Sequence, residues 1–349
     1  MHKIISKKIL IYILFFVLYS KIIFAISYYP SIDQNDTILY DLIIKDGLIY
    51  DGSGESPFKG DIGIINDKIE FVGNSVDLKS KKIIFAEGKV VSPGFINMLS
   101  WAVDDLIVDG RSQGDIRQGV TLEVFGEGVS MGPLNDEMQK DRTANGLGIG
   151  EVDFDLDWVT LGEYLQFLED KGVSPNVASF VGATTLRVHQ IGYDDRPPTK
   201  QELDSMKLLV RQAMEEGAMG IGSSLIYAPA FYASTDELIE ISKVASEYGG
   251  VYISHLRSEG NRFLESVDEF LKIASEANID SEIYHLKAGG KTNHYKLDLV
   301  IKKIDSAREA GLNITTDMYT YTAGATGLDA SMPPWVQEGG YSEWKKRLQ

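Results

Sequence analysis

The run Val251-Tyr252-Ile253-Ser254-His255-Leu256-Arg257-Ser258-Glu259 constrains the fold of this chain more than any other. β-Branched and aromatic residues end abruptly in a histidine, an arginine and a glutamate. The pattern returns further on as Glu282-Ile283-Tyr284-His285-Leu286-Lys287, and between the two Phe263, Leu264, Val267, Phe270, Leu271 and Ala274 fall at helical spacing. That is the signature of strand, helix, strand, with two parallel strands finishing side by side and a histidine at the C-terminal edge of each. Parallel α/β architectures place their chemistry at that edge. Two neutral imidazoles there, joined by a carboxylate from a third strand, form a divalent-metal site.

The same rhythm extends along most of the chain. Strand ends are expected near Leu99, Phe125, Val181, Ser223, His255, His285 and Asp317, with helices over 201–216, 236–248 and 298–310 between them. Right-handed crossovers of this kind close into a barrel, so the expected fold is α/β, a (β/α)8 TIM-barrel type. Seven strands are one short of eight, and only one more helix, around 342–348, follows. The barrel region, 92–349, therefore reads as truncated before strand 8. Upstream, short strands alternate with turn pairs such as Asp46-Gly47 and Asn66-Asp67, which predicts a small antiparallel sheet or part of a β-sandwich over 26–91. Residues 130–160, rich in Gly and Asp and without a period, read as a lid or surface loop.

The first 25 residues look like an export signal. Lys3, Lys7 and Lys8 precede an apolar run over 9–19, and Ile23-Phe24-Ala25 forms a candidate cleavage site. A periplasmic or secreted protein is expected, with a membrane anchor through an uncleaved signal as the alternative. A formal net charge of -17 argues against a nucleic-acid partner and offers nothing to an anionic membrane surface. With 0 cysteines, a metal must take imidazole, carboxylate or water as ligands.

Five histidines are present. His2 lies in the signal, and His189 and His294 read as solvated or locally bonded side chains. His255 and His285, at equivalent positions of adjacent units, read as ligands. Glu127, directly after an apolar strand and flanked by Gly126 and Gly128, is the candidate third ligand; the alternative is a solvated loop glutamate. Asp317 occupies a matching strand end and is a catalytic group, a carboxylate that orients a ligand, or a helix cap. Lys287, Arg257, Tyr227, Tyr319 and Tyr321 are placed around the same edge, where cations suit a substrate carboxylate and a phenol donates to a carbonyl oxygen. Arg187, just beyond the strand end at Val181, completes the candidate set.

Several motifs together resemble a known family. Asp41-Leu42-Ile43-Ile44-Lys45-Asp46-Gly47, Asp51-Gly52-Ser53-Gly54 and Ser92-Pro93-Gly94-Phe95-Ile96 resemble the opening of the amidohydrolase superfamily. Gln118-Gly119-Val120-Thr121, the His255 and His285 motifs, and Asp317-Met318-Tyr319-Thr320-Tyr321-Thr322-Ala323-Gly324 resemble its N-acyl-D-amino-acid deacylase (D-aminoacylase) branch. The resemblance runs from about Asp41 to the last residue. It implies a metal-dependent hydrolase acting on the amide of a small-molecule N-acylated D-amino acid. It also implies His255 and His285 as metal ligands, Glu127 where the family commonly has cysteine, and Lys287, Tyr227 and Tyr319 as substrate contacts. Leu99 and Trp101 stand where the superfamily has His-x-His, so one Zn²⁺ is expected rather than two. Ala325 replaces a substrate-binding serine, and the family's catalytic aspartate is expected beyond Gln349. Two other readings compete: a cyclic amidase of the dihydroorotase or hydantoinase sort, and a barrel that binds without catalysing.

Overall fold

The computed structural model describes residues 38–74, 77–145 and 158–349; the expected signal, 1–25, lies outside them. Contacts divide the chain into two compact units, Met1–Pro93 and Gly94–Gln349. Among the described residues no helix is long and apolar enough to cross a membrane.

The first unit is a single five-stranded sheet: β1 (Leu39–Ile49), β2 (Phe58–Ile65), β3 (Lys68–Gly73), β4 (Lys79–Phe85) and β5 (Val90–Val91), with order β3-β2-β1-β4 and β5 also on β1. The β2–β3 hairpin turns at Asn66-Asp67 as expected, with Asn66 at φ 53°. The sheet is mixed rather than antiparallel, because β1 pairs with β4 and β5 in parallel. No second layer of a sandwich occurs among its described residues. Asp46-Gly47 makes a bulge within β1 rather than a turn. Asp46 takes φ 60°, its N–H donates to Asp61 Oδ1 at 2.8 Å, and the register with β2 shifts while the strand continues to Ile49.

The second unit is α/β. Its strands are β6 (Phe95–Asn97), β7 (Val120–Phe125), β8 (Asn176–Ser179), β9 (Val181–Gly182), β10 (Gly220–Ser224), β11 (Val251–His255), β12 (Asp280–Ile283) and β13 (Ile314–Thr316). They lie in chain order and pair in parallel, three in one sheet and five in the next. β8 runs into β9 through Phe180 alone, whose N–H donates to Phe125 O at 2.9 Å. The long connecting helices are α1 (Leu161–Lys171), α2 (Ala183–Ile191), α3 (Lys200–Glu215), α4 (Thr235–Glu247), α5 (Phe263–Ala277) and α6 (Lys296–Glu309). α3 starts where Thr199 and Glu202 bond each other's backbone N–H groups in a capping box. α5 buries Phe263, Val267, Phe270, Ile273, Ala274 and Ala277, which recur every three or four positions and so share one face.

Both faces of the central strands β10 and β11 are buried, as in a parallel sheet covered on each side. Phe125, Tyr252 and Ile283 join the large cluster that the helices complete, while their neighbours Val124, Ile253 and Tyr284 form a second cluster with Phe180. The period of two then puts His255 on the same side as Ile253. Space on that side is tight below the strand ends. A β-carbon on Gly222 would sit 1.9 Å from Gly126 O and 3.3 Å from Phe180 Cβ. Gly222→Ala is expected to destabilise the fold by about 2 kcal/mol or more through overpacking. Thermal unfolding beside Gly114→Ala, where nothing lies within 4 Å, is the check.

The segment after β7 departs from the expected surface loop. Met131 and Leu134 are buried, Trp158 packs on Tyr164 and Phe167, and Trp158 Nε1 donates to Met131 O at 2.8 Å. Apolar side chains scattered without a period were enough to draw it into the core. A helix covers Asp136–Asn145, and residues 146–157 of the expected lid lie outside the described residues.

Candidate metal centre

Glu127, His255 and His285 arrive from the ends of β7, β11 and β12, and their candidate ligand atoms all lie within 4.8 Å of one another. Each position has a local cause. Beyond Phe125 the chain passes through Gly126 at φ 104° and Gly128 at φ 74°, and a β-carbon on Gly126 would lie 2.4 Å from Phe180 O. Only glycine fits both demands, and the pair of turns presents Glu127. His255 is the last residue of β11. His285 follows Tyr284, so simple alternation would turn it away from that side. Its backbone adopts φ 37°, uncommon for a non-glycine residue. Its N–H donates to Asp317 Oδ1 at 2.6 Å, which holds the turn in place.

His255 Nδ1 lies 3.1 Å from Glu127 Oε1, and His285 Nε2 lies 3.5 Å from the same oxygen. Trp101 Nε1 donates to the other oxygen, Oε2, at 3.1 Å, and Ser224 Oγ approaches Oε1 at 3.5 Å. The two imidazole rings stand edge to face, 4.5 Å between centroids. Burial opposes ionisation of Glu127, but its bonds and charge interactions with His255 and His285 outweigh it and hold the carboxyl at about 2. Burial likewise opposes the charged form of His285; Glu127 and Glu259 prevail and raise it to about 9.

A cavity of about 950 Å³ opens over these groups. Tyr227, Lys287, Tyr319 and Tyr321 line it, as do Leu99, Trp101 and Ala325. Tyr227 OH meets Thr326 Oγ1 at 2.6 Å, and Lys287 Nζ sits 5.4 Å from the Tyr319 ring centroid. Three expected residues are elsewhere. Arg257 turns back from the edge: it donates to both oxygens of Glu269, at 2.8 and 2.9 Å, and to the carbonyls of Phe231 and Ala233. Arg187 is wholly buried in an ion pair with Glu237. Asp317 serves the backbone of His285 and does not line the cavity.

Glu259 was not among the expected site residues, yet it lines the cavity and pairs with Lys287 at 2.6 Å. Its place four residues past His255 in an irregular loop carries no periodic signal, although the motif containing it did.

The donor set suits a divalent cation. One carboxylate oxygen and two imidazole nitrogens lie within 4.8 Å of one another, three protein ligands of the kind that zinc takes. Uptake requires His285 to release the proton it holds up to about 9, so affinity should rise with pH, about tenfold per unit below that value. The same proton supports the ion-free fold fully below about pH 6.5 and is lost as pH rises through about 9. Chelator-competition titrations at pH 6, 7 and 8 measure the slope.

No protein-family model matches the chain. It is 31% identical over 299 residues to a D-aminoacylase of Alcaligenes xylosoxydans xylosoxydans, an alignment covering 84% of this chain and 60% of that protein. A solved D-aminoacylase with a binuclear metal centre aligns at 30% identity and TM-score 0.71, over 82% of this chain and 59% of the other. An N-acyl-D-glutamate deacylase from Bordetella bronchiseptica, solved with zinc and a phosphonate mimic of the tetrahedral intermediate, aligns at 27% and TM-score 0.72, over 81% and 59%. The chain thus spans about 60% of the length of the curated D-aminoacylase it matches. Parallel strands carrying a carboxylate–histidine–histidine cluster at their C-terminal ends define the class, the amidohydrolases. Within that class the chain is similar, over about four fifths of its length, to D-aminoacylase and to the N-acyl-D-glutamate and N-acyl-D-aspartate deacylases.

Proposed function

We propose that this chain carries the metal centre of an exported hydrolase that cleaves the amide bond of N-acyl-D-amino acids. The observation that carries the reading is the meeting of Glu127 Oε1, His255 Nδ1 and His285 Nε2 at the ends of three parallel strands. The chain-order parallel strands support a (β/α) barrel around them. The basic-then-apolar N-terminus supports export.

Glu127, His255 and His285 would hold one Zn²⁺. Bound there, the ion supplies Lewis-acid polarisation of a carbonyl and acidifies water. Support for one ion rather than two comes from Leu99 and Trp101, which line the cavity where a second set of imidazoles would be needed; Trp101 instead bonds Glu127. Lys287 Nζ sits 2.6 Å from Glu259 Oε1, 2.9 Å from His285 Nδ1 and 3.3 Å from His285 O, and would turn a donor from these to a substrate carboxylate or a developing oxyanion. Tyr227 and Tyr319 line the same cavity, where their phenols would orient the acyl group.

Metal analysis of the purified full-length protein, followed by assay with N-acetyl-D- and N-acetyl-L-amino acids and a 5-substituted hydantoin, tests the reading. About one ion per chain and release of D-amino acid alone are expected. Protein that binds no divalent ion, or one that opens the hydantoin and spares the linear amides, ends it.

A further inference from the structure

His255 and His285 each aim one nitrogen at Glu127, and their other nitrogens face a second carboxylate. Glu259 Oε1 lies 3.1 Å from His285 Nδ1 and 3.8 Å from His255 Nε2. The same oxygen accepts from Lys287 Nζ at 2.6 Å. Glu259 is largely buried, and its loop is fixed. Gly289 N–H donates to Glu259 O at 2.7 Å, and Gly260 N–H donates to Ser258 Oγ at 3.3 Å.

A neutral imidazole has one lone pair and one N–H. If Nδ1 of His255 and Nε2 of His285 are to present lone pairs on the Glu127 side, the two protons must sit on His255 Nε2 and His285 Nδ1. His285 Nδ1 lies within hydrogen-bond reach of Glu259 Oε1, at 3.1 Å, whereas His255 Nε2, at 3.8 Å, feels only its charge. The opposite tautomer of His285 would turn its lone pair to Lys287 Nζ, only 2.9 Å away, and its N–H to the ion. A carboxylate at this spot decides the matter, because it accepts from N–H and repels a lone pair.

We propose that Glu259 is a positioning residue: its carboxylate takes the outward N–H of His285 and so sets that ligand's tautomer and ring orientation for a divalent cation, while its charge faces His255 Nε2 from 3.8 Å. The inference rests on the metal-centre reading above. It gives Glu259 a role through the ligands rather than as a ligand, and it makes the Lys287 contact secondary.

The test uses the full-length protein stripped of metal and titrated with Zn²⁺ or Co²⁺ against a chromophoric chelator. Glu259→Gln keeps the shape and removes the charge; it should weaken affinity about 10–100-fold, while Lys287→Met, which leaves the carboxylate, should stay within about threefold of wild type. Proton–nitrogen spectra of Zn²⁺-loaded, histidine-labelled protein should show the low-field imidazole N–H signals of wild type moving upfield in Glu259→Gln. The metal-free variant should still unfold in one cooperative transition, at a midpoint below that of metal-free wild type because His285 and Lys287 lose a counter-charge. Glu259→Asp, which retains charge with a shorter reach, should fall between wild type and Glu259→Gln, and it serves if the glutamine variant does not fold. Wild-type affinity in Glu259→Gln and Glu259→Asp, or an equal loss in Lys287→Met, overturns the proposal alone. A wild-type protein that binds neither ion overturns the metal centre with it.

Discussion

His255→Ala and His285→Ala should each lower divalent-metal affinity by at least about a hundredfold. A four-coordinate zinc site gathers roughly 12 kcal/mol, so one protein ligand accounts for about 3 kcal/mol, and every 1.4 kcal/mol is tenfold. Dialysed variants should then hold far less than one ion per chain by elemental analysis, and any amide hydrolysis should fall in step. Deleting the carboxylate has a further consequence. Glu127→Ala removes the acceptor for Trp101 Nε1 and a carboxylate facing both imidazoles, so His285 should lose the largest single interaction that now raises it to about 9, with Glu259 remaining. Glu127→Cys is the informative exchange. Thiolate and carboxylate both complete a three-ligand zinc site, so this variant should retain the ion that Glu127→Ala loses. His189→Ala supplies the comparison. Its ring lies in α2 beside Gln190 and outside the cavity, so its ion content should equal that of wild type. Equal ion content in His255→Ala and His189→Ala would mean that the cluster binds nothing.

The parallel strands and the two histidines were legible in the sequence because both signals are local. An apolar run that stops at a polar residue marks a strand end, and the repeat of that pattern after an amphipathic helix marks a parallel neighbour. The strands observed end at Phe125, Gly182, Ser224, His255, Ile283 and Thr316, within two residues of their expected ends. Glu127 was legible for a related reason, since glycine on both sides of an acid marks a backbone that turns at close quarters. What the sequence hides is where long side chains go. Arg257 and Arg187 sit beside the right strand ends, yet both guanidiniums point back into the protein, toward Glu269 and Glu237, partners that only the folded chain brings near. Glu259 is the converse, an apparently ordinary loop acid that the fold places against both imidazoles. In the first unit the β2–β3 hairpin could be read from its turn. The parallel pairing of β1 with β4 joins segments separated by two other strands, and no local pattern specifies it.

Arg187 gives the second large effect, and it is one of stability. Its side chain is fully buried, and Nη1 donates to both oxygens of Glu237, at 2.8 and 3.0 Å. Nη2 donates to Asp194 O at 3.2 Å and to Arg196 O, so one guanidinium ties α2, the first turn of α4 and the loop between α2 and α3. Removing one partner leaves the other charge buried without compensation, so Arg187→Met and Glu237→Leu should each cost about 3–5 kcal/mol. For a unit of this size that is a fall of roughly 10 °C or more in thermal midpoint. The double variant replaces both charges with apolar side chains and should be more stable than either single one, since a buried pair often does no better than a hydrophobic contact of similar volume. Metal affinity separates this role from the one expected from sequence. A side chain that holds helices together lies outside the cavity, so at a temperature where Arg187→Met is still folded it should bind zinc as wild type does. Loss of the ion from a folded Arg187→Met protein would instead return Arg187 to the strand-end site, and with it the idea that the Glu237 pair exists to aim a cation at the metal centre.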